Sequence, residues 1–228
     1  MSHHCEHEHH DHRHDHTPPA TTYATQSLFE VIDTPKIKVL NGIPINGQGA
    51  NVFIKAQNER ADTTRYLQSD TDCQIVIHIP FLSSCKLYSM IIRANNELDD
   101  EEFSIPKEIY VYKNFNKVLN FDSVNKTKND LQLVYPSLQR DKEDIEFHLP
   151  KLKFQNTDSI TLFIKNNWSQ DEDLNCKIFY IEIRGEINNR LKKSNETNGF
   201  AATSYESRAN PLDHKPLESS NGFINLGM

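Results

Sequence analysis

Glycine and tryptophan are scarce in this sequence, with seven glycines and one tryptophan in 228 residues. Loops that wrap a phosphate in backbone N–H groups therefore have little to be built from. No Gly-x-Ser-x-Gly elbow, Walker loop or dinucleotide fingerprint occurs. Cysteine is confined to Cys5, Cys73, Cys85 and Cys176, scattered and without a Cys-x-x-Cys pair. That density is too low for a disulfide-stapled secreted scaffold. No window approaches the ~20 apolar residues that span a bilayer, and the first sixteen residues offer no apolar stretch for a secretory signal. The expectation is a reducing compartment, cytoplasm and nucleus, with free thiols. In that setting the Asn-x-Ser/Thr sequons at Asn125, Asn167 and Asn195 are chance matches. The net charge of −7 argues against partners recognised by their phosphates, so neither nucleic acid nor an anionic membrane is expected.

Apolar residues make up 36% of the chain, a low share that places part of it outside any core. Residues 1–26 are expected to be a disordered His-rich tail: eight of the eleven histidines lie between His3 and His16, followed by the Thr/Pro/Ala stretch Thr17 to Thr25. Residues 27–190 carry the patterned sequence, and 191–228 form a second flexible tail with low apolar density. Ser27-Leu28-Phe29-Glu30 reads as a capping box opening a short helical turn through Ile32. Beyond it the period is two. Ile75, Ile77, Ile79 and Phe81 share one face, with Gln74 and His78 on the other. Lys86 to Ile92 is apolar on both faces, as in a central strand. Ile109–Tyr112, Ile145–Leu149, Ser159–Ile164 and Lys177–Gly185 complete the predicted strands. Strands joined by polar loops, with no helical segment of three turns or more, indicate an all-β antiparallel sandwich or barrel. Long acidic loops, residues 97–102 and 169–173, favour a jelly roll.

The histidine tract is the strongest chemical signal. His7, His9, His10, His12, His14 and His16 alternate with Glu8, Asp11 and Asp15, and Cys5 lies nearby; all are ligand types for zinc, nickel or copper. No preorganised shell is visible, so the tract is read as a solvated tail and no metal site is assigned. His78 and His148 could serve as bases if either faced a nucleophile, but each fits a histidine on a solvated strand face. The acidic runs 99–102 and 171–173 lack the spacing of an EF-hand loop and read as solvated loops. Trp168 is open to two readings, an exposed anchor for a partner or a cap on the core. No residue is assigned as catalytic or cofactor-binding, and no cofactor is expected.

Three ordered blocks resemble the PITH domain family. Leu67-Gln68-Ser69-Asp70-Thr71-Asp72-Cys73-Gln74-Ile75-Val76-Ile77 looks like the family's loop-to-strand segment, continued in register by Phe81 and Lys86-Leu87-Tyr88-Ser89-Met90. Lys153 to Ile164 is similar to a second block, and Ile178 to Gly185 to the final strand. The tail segment Tyr205 to His214 also resembles that of stand-alone PITH proteins. The resemblance spans residues 27–190. It implies a β-sandwich jelly roll similar to galactose-binding-like domains. It also implies a protein-interaction module associated with the proteasome, since other family members carry this domain behind a thioredoxin domain. That thioredoxin domain and its Cys-x-x-Cys are absent here, so redox chemistry is not carried over. The expectation is a non-enzymatic, monomeric module with a protein partner, the proteasome first. The alternatives are a small-ligand or carbohydrate-binding jelly roll, suggested by fold analogy alone, and metal binding by the histidine tract.

Overall fold

The computed structural model describes residues 22–95, 102–137 and 144–188. The histidine tract, Cys5, the acid residues 99–101, Asn195 and everything from residue 191 onward, including Tyr205 to His214, lie outside them.

Among the described residues, nine strands form in chain order. They are β1 (Lys38–Leu40), β2 (Gly42–Ile45), β3 (Tyr66–Ser69), β4 (Ile75–Ala94), β5 (Glu108–Lys113), β6 (Leu131–Val134), β7 (Ile145–His148), β8 (Thr157–Ile164) and β9 (Lys177–Ile187). One short helix, α1 (Phe121–Lys126), lies between β5 and β6. Every pairing between strands is antiparallel. No helix is long and apolar enough to cross a membrane among these residues.

The twenty residues of β4 organise the fold. Its first half, Ile75 to Pro80, pairs with β8 and β1. The register then shifts between Pro80 and Cys85, and the second half pairs with β9 and β7. A proline that donates no backbone hydrogen bond helps release the strand there. The strand thus serves two layers: β1-β4-β8-β5-β6 and β2-β3-β9-β4-β7. Ile75, Ile77 and Ile79 of the first layer meet Leu87, Met90 and Ile92 of the second, with Ile160, Leu162, Ile178, Ile181 and Ile183, in one buried core. Two sheets each burying one face against the other make the antiparallel β-sandwich that the alternation predicted. The jelly-roll class is present, and all six predicted strand segments fall in strands, β4, β5, β7, β8 and β9. The segments 74–81 and 86–92, separate in the sequence pattern, are one strand.

Two local readings change. The turn expected after Ser27 forms as a 3-10 turn, Phe29–Val31, but Leu28 precedes it and no side chain caps it. Ser27 is instead drawn into a bridge with Arg184 of β9; tertiary pairing displaces the local cap. The segment Leu67-Gln68-Ser69 is β3 rather than loop. Gly185 explains the tight β4–β9 seam, because a Cβ there would strike the carbonyl oxygen of Lys86.

Candidate interaction groove on the outer face of the first layer

The outer side of the first layer is not plain solvated sheet. Val76 of β4, Tyr112 of β5 and Phe163 of β8 alternate outward and are covered by Val124 of α1, forming a second small apolar cluster. The Tyr112 hydroxyl donates to the Val124 carbonyl at 2.8 Å. Asn120 caps α1 by accepting the Ser123 N–H at 2.7 Å. The connection from β5 to α1 is pinned at its other end by Asn114, whose backbone is left-handed at φ 49°, a region asparagine tolerates better than most side chains do.

 

The Asn114 side-chain oxygen accepts the N–H groups of Asp158 and Ser159, at 2.7 and 3.2 Å, and its amide donates to the Asn156 carbonyl at 3.0 Å.

Between these two pins runs Phe115-Asn116-Lys117-Val118-Leu119. With Lys38 and Leu40 of β1 and His78 of β4 it lines a pocket of about 420 Å³. Phe115 packs edge-on against Tyr112, while Val118 is 76% exposed. Lys38 stands directly across from His78 in the β1–β4 register. Among the described residues no carboxylate lines the pocket or pairs with Lys38 or Lys117; Lys117 donates to the Thr127 hydroxyl at 3.0 Å.

His78 was expected on a solvated face. It is half-buried, and its Nδ1 lies 2.8 Å from the Thr161 hydroxyl. Burial, and then the Lys38 charge, hold its pKa below the ordinary histidine value. The face it shares is apolar because the α1 segment folds back over it, and no local pattern on β4 announces that. His148 is exposed on β7, opposite Ser89. The two histidines lie in different layers.

The outer side of the second layer is charged. Arg184 donates to Glu182 at 2.9 Å and lies 3.5 Å from Glu146; Tyr180 donates to Glu182 at 3.0 Å. Ser89 and Thr22 donate their hydroxyls to Glu146, and Arg93 donates to Asp144 at 2.7 Å. Burial pushes the Glu146 carboxyl up, but these hydroxyls and Arg184 outweigh it and leave the pKa below the usual carboxylate value. Lys55 is buried and donates to the carbonyls of Asp62 and Arg65 at 2.5 and 2.6 Å, closing the 55–65 loop. These groups satisfy one another, so the network is structural.

The remaining candidates resolve in the same way. Cys73, Cys85 and Cys176 are free and buried. Burial pushes the Cys73 and Cys85 thiols up to about 11 and Cys176 higher still, which keeps all three protonated and poorly nucleophilic. Trp168 caps the core: it packs against it, donates its indole N–H to the Tyr135 carbonyl at 2.7 Å, and carries Lys107 over its ring at 4.7 Å. The Asn167 amide is buried and donates to the Asp171 and Leu174 carbonyls. Asp171, Glu172 and Asp173 are exposed, and no group of three potential metal ligands occurs among the described residues. The groove itself was missed in the sequence. The available signal was the pair Val118-Leu119, with Phe115 nearby, inside a connection rich in lysine, Lys113, Lys117, Lys126 and Lys128 against Asp122 and Asp130.

Two sheets sharing one long, bent strand, one of them with its outer face partly covered, define an all-β antiparallel sandwich domain. Comparison with known families matches the PITH domain over residues 18–203, and the chain belongs to that family. It is 31% identical over 189 residues to PITH domain-containing protein CG6153 of Drosophila melanogaster, covering 83% of this chain and 81% of that protein. It is also 31% identical over 163 residues to Thioredoxin-like protein 1 of Schizosaccharomyces pombe, covering 70% of this chain and 51% of that protein. Among solved structures, CBM32-3 from a family 31 glycoside hydrolase of Clostridium perfringens superposes with a TM-score of 0.45 at 8% identity, covering 69% of this chain and 96% of that one.

Proposed function

We propose that the protein is a non-enzymatic protein-interaction module that associates with the proteasome or a proteasome-linked complex, acting as a monomer in the cytoplasm and nucleus. The observation that carries this reading is the groove. An exposed apolar side chain and two cations without carboxylate partners among the described residues are held over the sheet by the Asn114 and Asn120 pins. Exposed apolar surface rimmed by charge is the kind of surface that partners cover. The likeness to a thioredoxin-like protein supports the same reading, since this chain matches about half of that protein without bringing a redox motif.

The test is a pull-down from native cell extract with mass spectrometry, using the intact chain and a chain truncated after Asn189, and avoiding metal resin because the histidine tract would bind it. Proteasome particles retained by the intact chain support the reading. Their loss on truncation assigns recognition to the C-terminal tail, and failure of both chains to retain them overturns the proteasome assignment.

A further inference from the structure

The protonation of His78 follows from its neighbour. Thr161 is fully buried, and a buried hydroxyl proton requires an acceptor. Among the described residues the polar partner of the Thr161 hydroxyl is His78 Nδ1, at 2.8 Å. The hydroxyl therefore donates and Nδ1 accepts. Burial favours the neutral ring, and a neutral imidazole that accepts at Nδ1 carries its proton on Nε2. Nε2–H is thus a donor, and no partner for it occurs among the described residues.

The groove therefore presents an unbalanced set of polar groups. Lys38 and Lys117 supply ammonium donors, His78 an Nε2–H, and Asn116 an amide; among the described residues no carboxylate lines it. Leu40, Phe115, Val118 and Leu119 make the rest of the wall apolar. The sign of charge is opposite to that of the chain, whose net charge is −7. An occupant complementary to this surface carries carboxylate acceptors beside aliphatic side chains. Resting on the interaction-module reading above, we propose that the groove binds a short acidic–aliphatic peptide segment of a protein partner. Its aliphatic side chain lies against Leu40, Phe115 and Val118, and its carboxylate is held by Lys38, Lys117 and His78. A pocket of about 420 Å³ takes a few side chains rather than a folded domain. Its concavity favours a peptide over a lipid surface, which would meet a flat or convex basic patch.

The full-length chain is titrated by fluorescence anisotropy into a labelled ten-residue peptide, Gly/Ser-framed around Leu-Asp-Leu-Asp, and into the matching Leu-Asn-Leu-Asn peptide. The acidic peptide is expected to bind at least about tenfold more tightly, with affinity falling as salt rises. Lys38→Glu combined with Lys117→Glu is expected to abolish binding, and Val118→Ser to weaken it, while circular dichroism and thermal unfolding of both variants stay as in the parent. His78→Gln, which keeps a donor in the pocket, should bind better than His78→Phe. Equal binding of the two peptides, no binding of either, or indifference to both groove variants overturns the proposal. So does lysine-dependent co-sedimentation with phosphatidylserine vesicles in the absence of peptide binding, which assigns the groove to a membrane. The double charge reversal in the proteasome pull-down separates the two readings. Particles retained by that variant leave the interaction module standing and remove the groove from it, whereas failure of the parent chain to retain particles overturns the proteasome assignment and leaves the peptide titration to decide the groove.

Discussion

The two outer faces of the sandwich solve the same problem in opposite ways. Each sheet needs cover on the side away from the common core. The first layer covers part of its outer face with hydrocarbon, packing Val76, Tyr112 and Phe163 beneath α1. The second layer covers its face with paired charge, Arg184 between Glu182 and Glu146, and Arg93 on Asp144. The hydrocarbon cover is incomplete and leaves the groove at its edge, with Val118 exposed. The charged cover closes on itself. A face that satisfies its own polar groups has little left for a partner; a face that ends in apolar surface beside cations with no carboxylate partner among the described residues has more.

The comparison can be broken most forcefully from the apolar side. Phe163→Ala removes the centre of the outer cluster and is expected to cost about 4 kcal/mol in urea unfolding, above the cost of any single exposed groove substitution. On the charged side, Arg184→Met leaves Glu182, whose side chain is 2% exposed, without its cation, and is expected to cost about 3 kcal/mol. Glu182→Leu added to Arg184→Met should recover most of that loss, since the penalty comes from the orphaned charge; no recovery would mean the pair stabilises the fold outright. The cost of Val118→Ser is expected to stay below about 0.5 kcal/mol, the range of ordinary surface substitutions.

The faces also titrate in different windows. The unfolded chain binds a proton at His78 before the folded one does, so acidification destabilises the fold. That contribution is complete above the ordinary histidine pKa of about 6.5 and is lost as pH falls from there toward the lowered folded value. Glu146 is also lowered in the fold, so its contribution is complete above the ordinary carboxylate range and is lost only at more acid pH. His78→Gln should flatten the upper part of the stability–pH curve, and Glu146→Gln the lower part; an unchanged upper limb in His78→Gln would contradict the burial of that ring. Away from both faces, Cys73, Cys85 and Cys176 should resist iodoacetamide at pH 8 in the native protein and react after denaturation, read by mass spectrometry.

Much of this architecture is readable from side-chain pattern. Ile75, Ile77 and Ile79 alternate because one face of β4 is buried, and a period of two can be seen without knowing the partner strand. The same holds for β5, β7, β8 and β9. The strands β1, β2 and β6 are edge pieces of three or four residues whose pattern alone does not mark them, and Gly42 and Pro44 in β2 speak against a strand locally. They form because long neighbours, β4, β3 and β5, present edges to pair with.

By itself, then, the amino-acid order determined the all-β class, the apolar face of each long strand and the resemblance to PITH domains, because each depends on residue type and near-neighbour spacing. Only the tertiary structure decided which outward residues are covered. His78 and Val76 occupy the polar-facing positions of β4, yet both are drawn into the zone beneath the segment 115–126, which lies more than thirty residues further along the chain. Ser27 has the signature of a helix cap and becomes a bridge to Arg184. The groove likewise joins Lys38, His78 and Lys117 from three separate stretches. Burial and charge pairing between distant segments are properties of the folded surface, and a one-dimensional pattern records them only where the segments are neighbours in sequence.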